Sequence, residues 1–344
     1  MPAHASRSDC PLVTAVIPTR GRPELLAGAI RSALRQTWLN LEVVVVVDGP
    51  DAATAEYLES QMDPRLRVVF LAEQRGGSEA RNTGIRAARG EWIALLDDDD
   101  EWLPEKTERQ MRAAHAMPDW FPVVSCRLIA QSTATSRVLP FAAYEAPQPI
   151  ADFLFCRRGL RDPGGVIQTS TLLAPRELLM AVPFQEGLPI HQDWDWLIRV
   201  ASYKGVGFSM VRQPLCLWRT GDHHPSVGRN PLWKTSLEWI RASRSLVSPR
   251  AFSWFIAVQC AWRAQASHAG LRARLALLRA FLVEGEPELR SFLCFLIFAF
   301  IPAGVRRTMR RGLMKMRADA SAPSGLRLVP TRQPATPVLR KSSL

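Results

Sequence analysis

Leu41-Glu42-Val43-Val44-Val45-Val46-Val47 is the stretch on which the fold turns. It is a β-branched run with no solvent face. A strand reads this way when both sides of its sheet are covered, as in a parallel sheet. Working outward, Val13-Thr14-Ala15-Val16-Ile17-Pro18 is a second short apolar run. Between the two, Leu25, Leu26, Ala29, Ile30, Ala33 and Leu34 recur at helical spacing within residues 24–36. Residues 52–61 predict a helix, 66–71 a strand and 78–88 a helix whose start suits Ser78 and Glu79. Trp92-Ile93-Ala94-Leu95-Leu96 predicts a fourth strand and residues 104–117 a fourth helix. Strand alternating with helix at this spacing predicts an α/β open sheet.

Beyond residue 120 the pattern loosens. Val123-Val124-Ser125 predicts a strand, 152–156 a short helix, 168–173 a strand and 191–202 a helix. Residues 233–283 are helical in pattern, and 289–305 are nearly all apolar. Residues 306–317 then bring six cations. The last 27 residues, 318–344, are rich in Pro, Ser, Thr and Ala, the composition of a disordered tail.

A chain of 344 residues holds one large domain with appendages, or two small domains. Its net charge of +12 is unevenly placed: from Arg306 onward there are ten Lys/Arg and one acid, Asp319. A near-neutral body with a basic tail is not a nucleic-acid-binding domain, and no nucleic acid is expected as a partner. The polar start and the short run after it do not read as a signal peptide. Cys10, Cys126, Cys156, Cys216, Cys260 and Cys294 form no CxxC pair. They read as free thiols of a reducing cytoplasm.

Four segments carry chemistry. Asp97-Asp98-Asp99-Asp100-Glu101 places five acids directly after a strand. Such a cluster is tolerated when a cation sits among them, and hard oxygen ligands suit Mg²⁺ or Mn²⁺, which also hold diphosphates. The same run would serve as a solvated acidic helix start, with Pro104 in the first turn. Its place decides for a site: an open α/β sheet binds ligands outside the carboxyl ends of its strands. Thr19-Arg20 and Asp48-Gly49 mark two other such ends. Gln74-Arg75-Gly76-Gly77 before the 78–88 helix is either a phosphate-accommodating loop, with Arg81 one turn in, or a plain turn. In His191-Gln192-Asp193-Trp194-Asp195, an acid is either a general base beside an aromatic platform or a helix cap. His223 and His224 lie in a Gly/Pro-bounded loop, where they contact metal or diphosphate or are plain loop residues.

Together these residues resemble the family-2 glycosyltransferases. Val16-Ile17-Pro18-Thr19-Arg20-Gly21-Arg22 is similar to the family's opening strand and loop, and Val47-Asp48-Gly49 to its second strand end. Ala80-Arg81-Asn82-Thr83-Gly84 resembles its Ala-Arg-Asn-x-Gly segment. Leu96-Asp97-Asp98-Asp99-Asp100 with Trp102, Pro104 and Lys106 resembles its DxD region. Asp193-Trp194-Asp195 with Arg199 resembles its base-bearing segment, which usually begins Glu-Asp where this chain has Gln192-Asp193. The resemblance spans residues 11–225 and implies a GT-A fold: an open, mostly parallel sheet flanked by helices. It further implies that Pro18, Thr19, Arg20, Asp48, Arg81, Asp97 and Asp98 hold a nucleotide sugar. Asp99 and Asp97 would ligate Mg²⁺ or Mn²⁺, and Asp193 would be the base of an inverting transfer to a glycan or lipid-linked acceptor.

The expected layout is then a flexible start (1–10), a catalytic domain (11–225), a helical extension (226–317) and a disordered tail (318–344). Within the catalytic domain, residues 11–120 form a nucleotide-sugar half and 121–225 an acceptor half. The apolar run and cations of 289–317 fit a helix at an anionic membrane surface, or a core helix with a basic turn. The expected location is cytoplasmic, peripheral on the inner face of the cell membrane. Two other functions compete. A nucleotidyltransferase would need a Gly-rich cationic loop, of which Thr19-Arg20-Gly21-Arg22 is a poor version. A non-catalytic protein binding through its basic tail would need a basic face on the body.

Overall fold

A computed structural model describes residues 10–132, 135–158, 164–220, 228, 230–302, 304–306 and 308. The first half alternates as β1 (Val13–Thr19), α1 (Pro23–Leu34), β2 (Leu41–Val47), α2 (Ala52–Glu59), β3 (Leu66–Phe70), α3 (Gly77–Ala87) and β4 (Trp92–Leu95). β5 (Glu101–Trp102), α4 (Lys106–His115), β6 (Phe121–Gln131), β7 (Ser136–Leu139) and α5 (Ile150–Phe155) follow. Then come β8 (Leu173–Pro175), α6 (Arg176–Ala181), α7 (Gln192–Val200) and β9 (Val206–Arg219). Helices follow: α8 (Trp233–Ala242), α9 (Pro249–Phe255), α10 (Ala261–Ala266), α11 (Leu271–Val283) and α12 (Leu289–Phe300). A π-helical turn, Ile256–Cys260, joins α9 to α10.

The strands lie in the order β3-β2-β1-β4-β8-β6-β9-β5, with β7 on the side of β6. β3, β2, β1 and β4 are mutually parallel, so their carboxyl ends share one edge. All seven residues of β2 are buried. Val43, Val45 and Val47 join one apolar cluster, whereas Val44 and Val46 join another on the opposite face. This is the two-sided cover that the run implied. Glu42 survives inside it because its carboxylate accepts the Arg89 N–H at 2.7 Å and the Thr14 hydroxyl at 2.7 Å. Burial works to raise its pKa, but these bonds and Arg67 prevail and hold it below the ordinary value.

Local chemistry sets the helix starts. Pro23 supplies a preset φ at the head of α1, and the Asp51 carboxylate accepts the Thr54 N–H to cap α2. Gly84 lets α3 lie close on the sheet: a Cβ there would sit 2.4 Å from Val16 Cγ1.

Besides the short β5, β7 and α6, which the sequence did not signal, two regions differ from the sequence expectation. Residues 168–173, expected as a strand, form a 3-10 turn over Thr169–Thr171 before the short β8. Gln168 directs this, its side chain accepting the Ser170 N–H. The 14-residue β9 carried no strand signal, because Gly207, Arg212, Gln213 and Pro214 interrupt its apolar pattern. It pairs in parallel with β6, and the register slips around Arg127, whose partner is Pro214. A bulge is where a strand tolerates a residue without an N–H.

Residues 1–300 form one compact unit and 301–344 a second. Within the first, the apolar core runs on from the sheet domain into the C-terminal helices. Phe155 of α5, Trp194 of α7, Trp239 of α8 and Phe255 of α9 pack ring against ring, 5.1–6.3 Å between centroids. In the second unit, the Arg306 N–H donates to the Pro302 carbonyl. Among the described residues no helix is long and apolar enough to cross a membrane. The expected start (1–10) is described only at Cys10, and the expected tail (318–344) lies outside the described residues.

Candidate active site

The parallel strands deliver three loops to one edge. Pro18 and Thr19 are the last residues of β1, Asp48 follows β2, and Asp97 lies two residues beyond β4. The Thr19 hydroxyl donates to Asp98 Oδ2 at 2.7 Å, and Arg22 brackets both Asp98 and Asp99 with its guanidinium. Asp98 is only 1% exposed. Burial pushes its carboxyl up to about 6, against the pull of Arg22 and Thr19. It therefore faces the first loop and binds that loop to the acidic run.

Asp48 shapes the glycine loop. Its two carboxylate oxygens accept the N–H groups of Arg75 at 2.7 Å and Gly76 at 2.9 Å. Gly76 takes φ +88°, a conformation L side chains seldom adopt. Arg20 donates to the Asp48 carbonyl at 2.6 Å. Each carboxylate oxygen of Asp48 keeps a second lone pair for a ligand.

Arg81 ties the acidic run to the start of α7. Its Nη2 donates to Asp97 Oδ1 at 2.6 Å and its Nη1 to Gln192 Oε1 at 2.9 Å. The residue is 8% exposed, and its Nε has no partner among the described residues. Asp193 lies one residue beyond Gln192. Its carboxylate accepts the adjoining Trp194 N–H at 2.9 Å. Burial raises it to about 6; Arg81 works against this and Asp97 with it. Asp195 is employed otherwise: it accepts Arg199 Nε at 2.7 Å and the buried Trp239 indole N–H at 3.1 Å. The two acids of the Asp-Trp-Asp segment thus differ, Asp195 being committed to structure and Asp193 half-buried with spare lone pairs.

Behind this start stands His191, in the left-handed region at φ 67°. Its ring stacks on Trp194 with centroids 4.9 Å apart and meets the Ser236 hydroxyl at 2.9 Å. Burial holds the imidazole well below its ordinary pKa, with Arg263 adding to the effect, so it is neutral.

The acidic run brings carboxylate oxygens of Asp97, Asp99 and Asp100 within 4.8 Å of one another. An oxygen-only set at this spacing fits a hard divalent cation. Burial and the charges of Asp97 and Asp99 force the Asp100 carboxyl well above its ordinary value, a cost that a cation would relieve. Asp100 forms the floor of the group, accepting the Ser170 hydroxyl and the Gln168 amide, each at 2.6 Å. Gln168 also donates to Asp97 at 3.1 Å.

Asp97, Arg81 and Asp193 come together here, as do Thr19, Arg22 and Asp98, while Arg20 and Asp48 form the adjoining loop contact. His223 and His224 lie outside the described residues. Arg22, Asp100, Gln168, Ser170 and Gln192 join the site without having been assigned a role in it. Gln168 and Ser170 sit some seventy residues from the carboxylates they hold, in a segment whose reading as a strand carried no sign of that contact. Arg22 stands in the loop after β1, and its alternation with Arg20 just beyond the strand end was the available signal.

The family described as Glycosyl transferase family 2 matches residues 14–153. The chain is 29% identical over 287 residues to the amylovoran biosynthesis glycosyltransferase AmsB of Erwinia amylovora, covering 81% of this chain and 93% of that protein. It is 42% identical over 106 residues to the succinoglycan biosynthesis protein ExoO of Rhizobium meliloti. That match covers 31% of this chain and 30% of ExoO, so the chain spans under a third of that relative's length. In fold it resembles a mannosyltransferase of Pyrobaculum calidifontis, solved with GDP-Man and Mn²⁺. The TM-score is 0.50 at 19% identity, covering 85% of this chain and 86% of that one.

Proposed function

Because this chain belongs to glycosyltransferase family 2 through residues 14–153, we propose that it moves a sugar from a nucleotide-diphosphate sugar to an acceptor hydroxyl, with inversion, in the assembly of a cell-surface polysaccharide. Family membership sets aside the nucleotidyltransferase and tail-binding alternatives. The biosynthetic setting rests on AmsB and ExoO, named for amylovoran and succinoglycan biosynthesis. The acceptor is a hydroxyl of a glycan or lipid-linked glycan. The protein works in the cytoplasm, peripheral on the inner face of the cell membrane through residues 289–317.

One observation carries the reading: Arg81 bonds Asp97 and Gln192 at once, so the base-bearing start of α7 and the acidic run are held side by side. Pro18, Thr19, Arg20, Asp48, Arg81, Asp97 and Asp98 bound the donor side. Asp97 and Asp99, with Asp100 beneath, would hold Mg²⁺ or Mn²⁺, which supplies positive charge against that developing on the departing diphosphate. Asp193 accepts the proton of the acceptor hydroxyl as its oxygen attacks the anomeric carbon, opposite the nucleotide. Burial favours this role, since a base raised to about 6 holds a proton better than an ordinary carboxylate and is still ionised at neutral pH. Asp195 and His191 keep the helix start in place and leave Asp193 free to act.

Asp193→Asn tests the assignment. A general base contributes about 10²–10⁴-fold, so transfer from a radiolabelled nucleotide sugar should fall by that factor with donor binding unchanged. Transfer near the wild-type rate would remove Asp193 from the role.

A further inference from the structure

Two C-terminal helices each bury one apolar face and expose another. On α11, Leu277, Ala280 and Phe281 are buried. Leu271, Leu275 and Leu282 are exposed on the outer side, and Leu278, at the intervening helical position, is half-buried and packs on the core. On α12, Ser291, Cys294, Phe295 and Ala299 are buried. Leu289, Leu293, Leu296 and Phe300 repeat the same spacing on its outer side, all exposed. A stripe at that period runs straight along one helix face. The two helices pack through Phe281 and Phe295, stacked 5.4 Å apart. On the outer side, the Arg274 guanidinium lies 5.5 Å from the Phe300 ring, so the first turns of α11 adjoin the last turn of α12. The stripes therefore form one surface.

The charges around this surface select its occupant. Neither helix contains a carboxylate, and Arg272, Arg274, Arg279 and Arg290 stand at the margins of the stripes. In the connecting turn, Glu284 is paired with Arg241 and Glu288 with Arg250, leaving Glu286 as the other acid. A second copy related by a two-fold axis would bring these arginines together with no carboxylate from either helix. A bilayer of anionic lipid offers phosphates to the arginines and acyl chains to the leucines, the pairing that holds an amphipathic helix in the interface plane. At about 1.5 Å per residue, either helix is too short for a hydrocarbon core of about 30 Å and fits only lying flat.

We propose that the outer face of α11 and α12 docks the protein on an anionic lipid bilayer. This rests on the peripheral-membrane reading above and assigns its surface to two folded helices instead of the cationic tail.

The test is flotation of the full-length protein with vesicles of phosphatidylglycerol and phosphatidylcholine, and with phosphatidylcholine alone. The wild type should float with the anionic vesicles at least tenfold more than with neutral ones. Leu275→Glu/Leu296→Glu should lose that binding tenfold or more while keeping its melting temperature, and Arg272→Gln/Arg279→Gln should weaken it severalfold. If the leucine variant floats like the wild type while deletion of residues 306–344 abolishes flotation, the tail is the anchor and the inference fails, although the peripheral reading stands. A wild type that floats with neither vesicle ends both. A dimer in light scattering that the leucine variant splits makes a second copy the occupant and overturns the proposal.

Discussion

Asp193 and Asp195, two residues apart in the first turn of α7, show how burial and partners divide chemically identical side chains. Asp195 is bonded to Arg199 and Trp239, so Asp195→Ala leaves a buried indole N–H without its partner and Arg199 with the Pro183 carbonyl but no counter-charge. It should cost about 2–4 kcal/mol, read as a lowered denaturant midpoint, whereas Asp193→Asn should not. Asp193 titrates near 6. Its ionised form is the active base, so kcat/KM should fall as pH drops through about 6, and the Asp193→Asn residue activity should lack this limb. The same shift has the opposite effect on stability. The fold binds this proton more tightly than the unfolded chain does, so the contribution of Asp193 to stability declines as pH rises from about 4 to about 6. Much at this scale was legible. The acidic run, Arg81 and Asp193 stood out by residue type and neighbourhood. Which acid faces which partner was not legible, because Gln168, Ser170 and Trp239 come from distant segments.

At the level of elements, the parallel half was readable because β1, β2 and β4 are buried on both faces and leave continuous apolar runs. β9 was not, since its bulge and its half-exposed face break the alternation. The seat of α3 on the sheet is equally a matter of one position. Gly84→Ala adds a methyl 2.4 Å from Val16 Cγ1. Overpacking of this kind costs about 1–3 kcal/mol, of which a better helix former returns up to about 1. A lowered melting temperature is expected, with partial recovery in Gly84→Ala/Val16→Ala. An unchanged melting temperature in the single variant would mean that α3 shifts freely. Because Arg81 rides on this helix, the single variant should also raise the donor KM.

For the molecule as a whole, the helices after residue 230 complete the core of the sheet domain. Phe155, His191 and Trp194 are covered by Trp239 and Phe255. A chain ending at residue 228 would expose these rings, and it should be insoluble or bind a hydrophobic dye when expressed alone. A soluble, cooperatively melting product would show that the first 228 residues form an independent domain. This continuity was beyond the reach of periodicity, which marks a helix as amphipathic without naming the surface that receives it.

The aromatic cluster behind Asp193 also sets an order of events during synthesis. The ribosome must still add about sixty residues after Asp193 before Phe255 exists to cover His191, which takes roughly 3–12 s at about 5–20 residues per second. Throughout that interval the sheet's donor edge is already encoded and free to form. The base-bearing helix, by contrast, lacks its backing. The nascent chain should therefore acquire nucleotide binding before it acquires transfer activity.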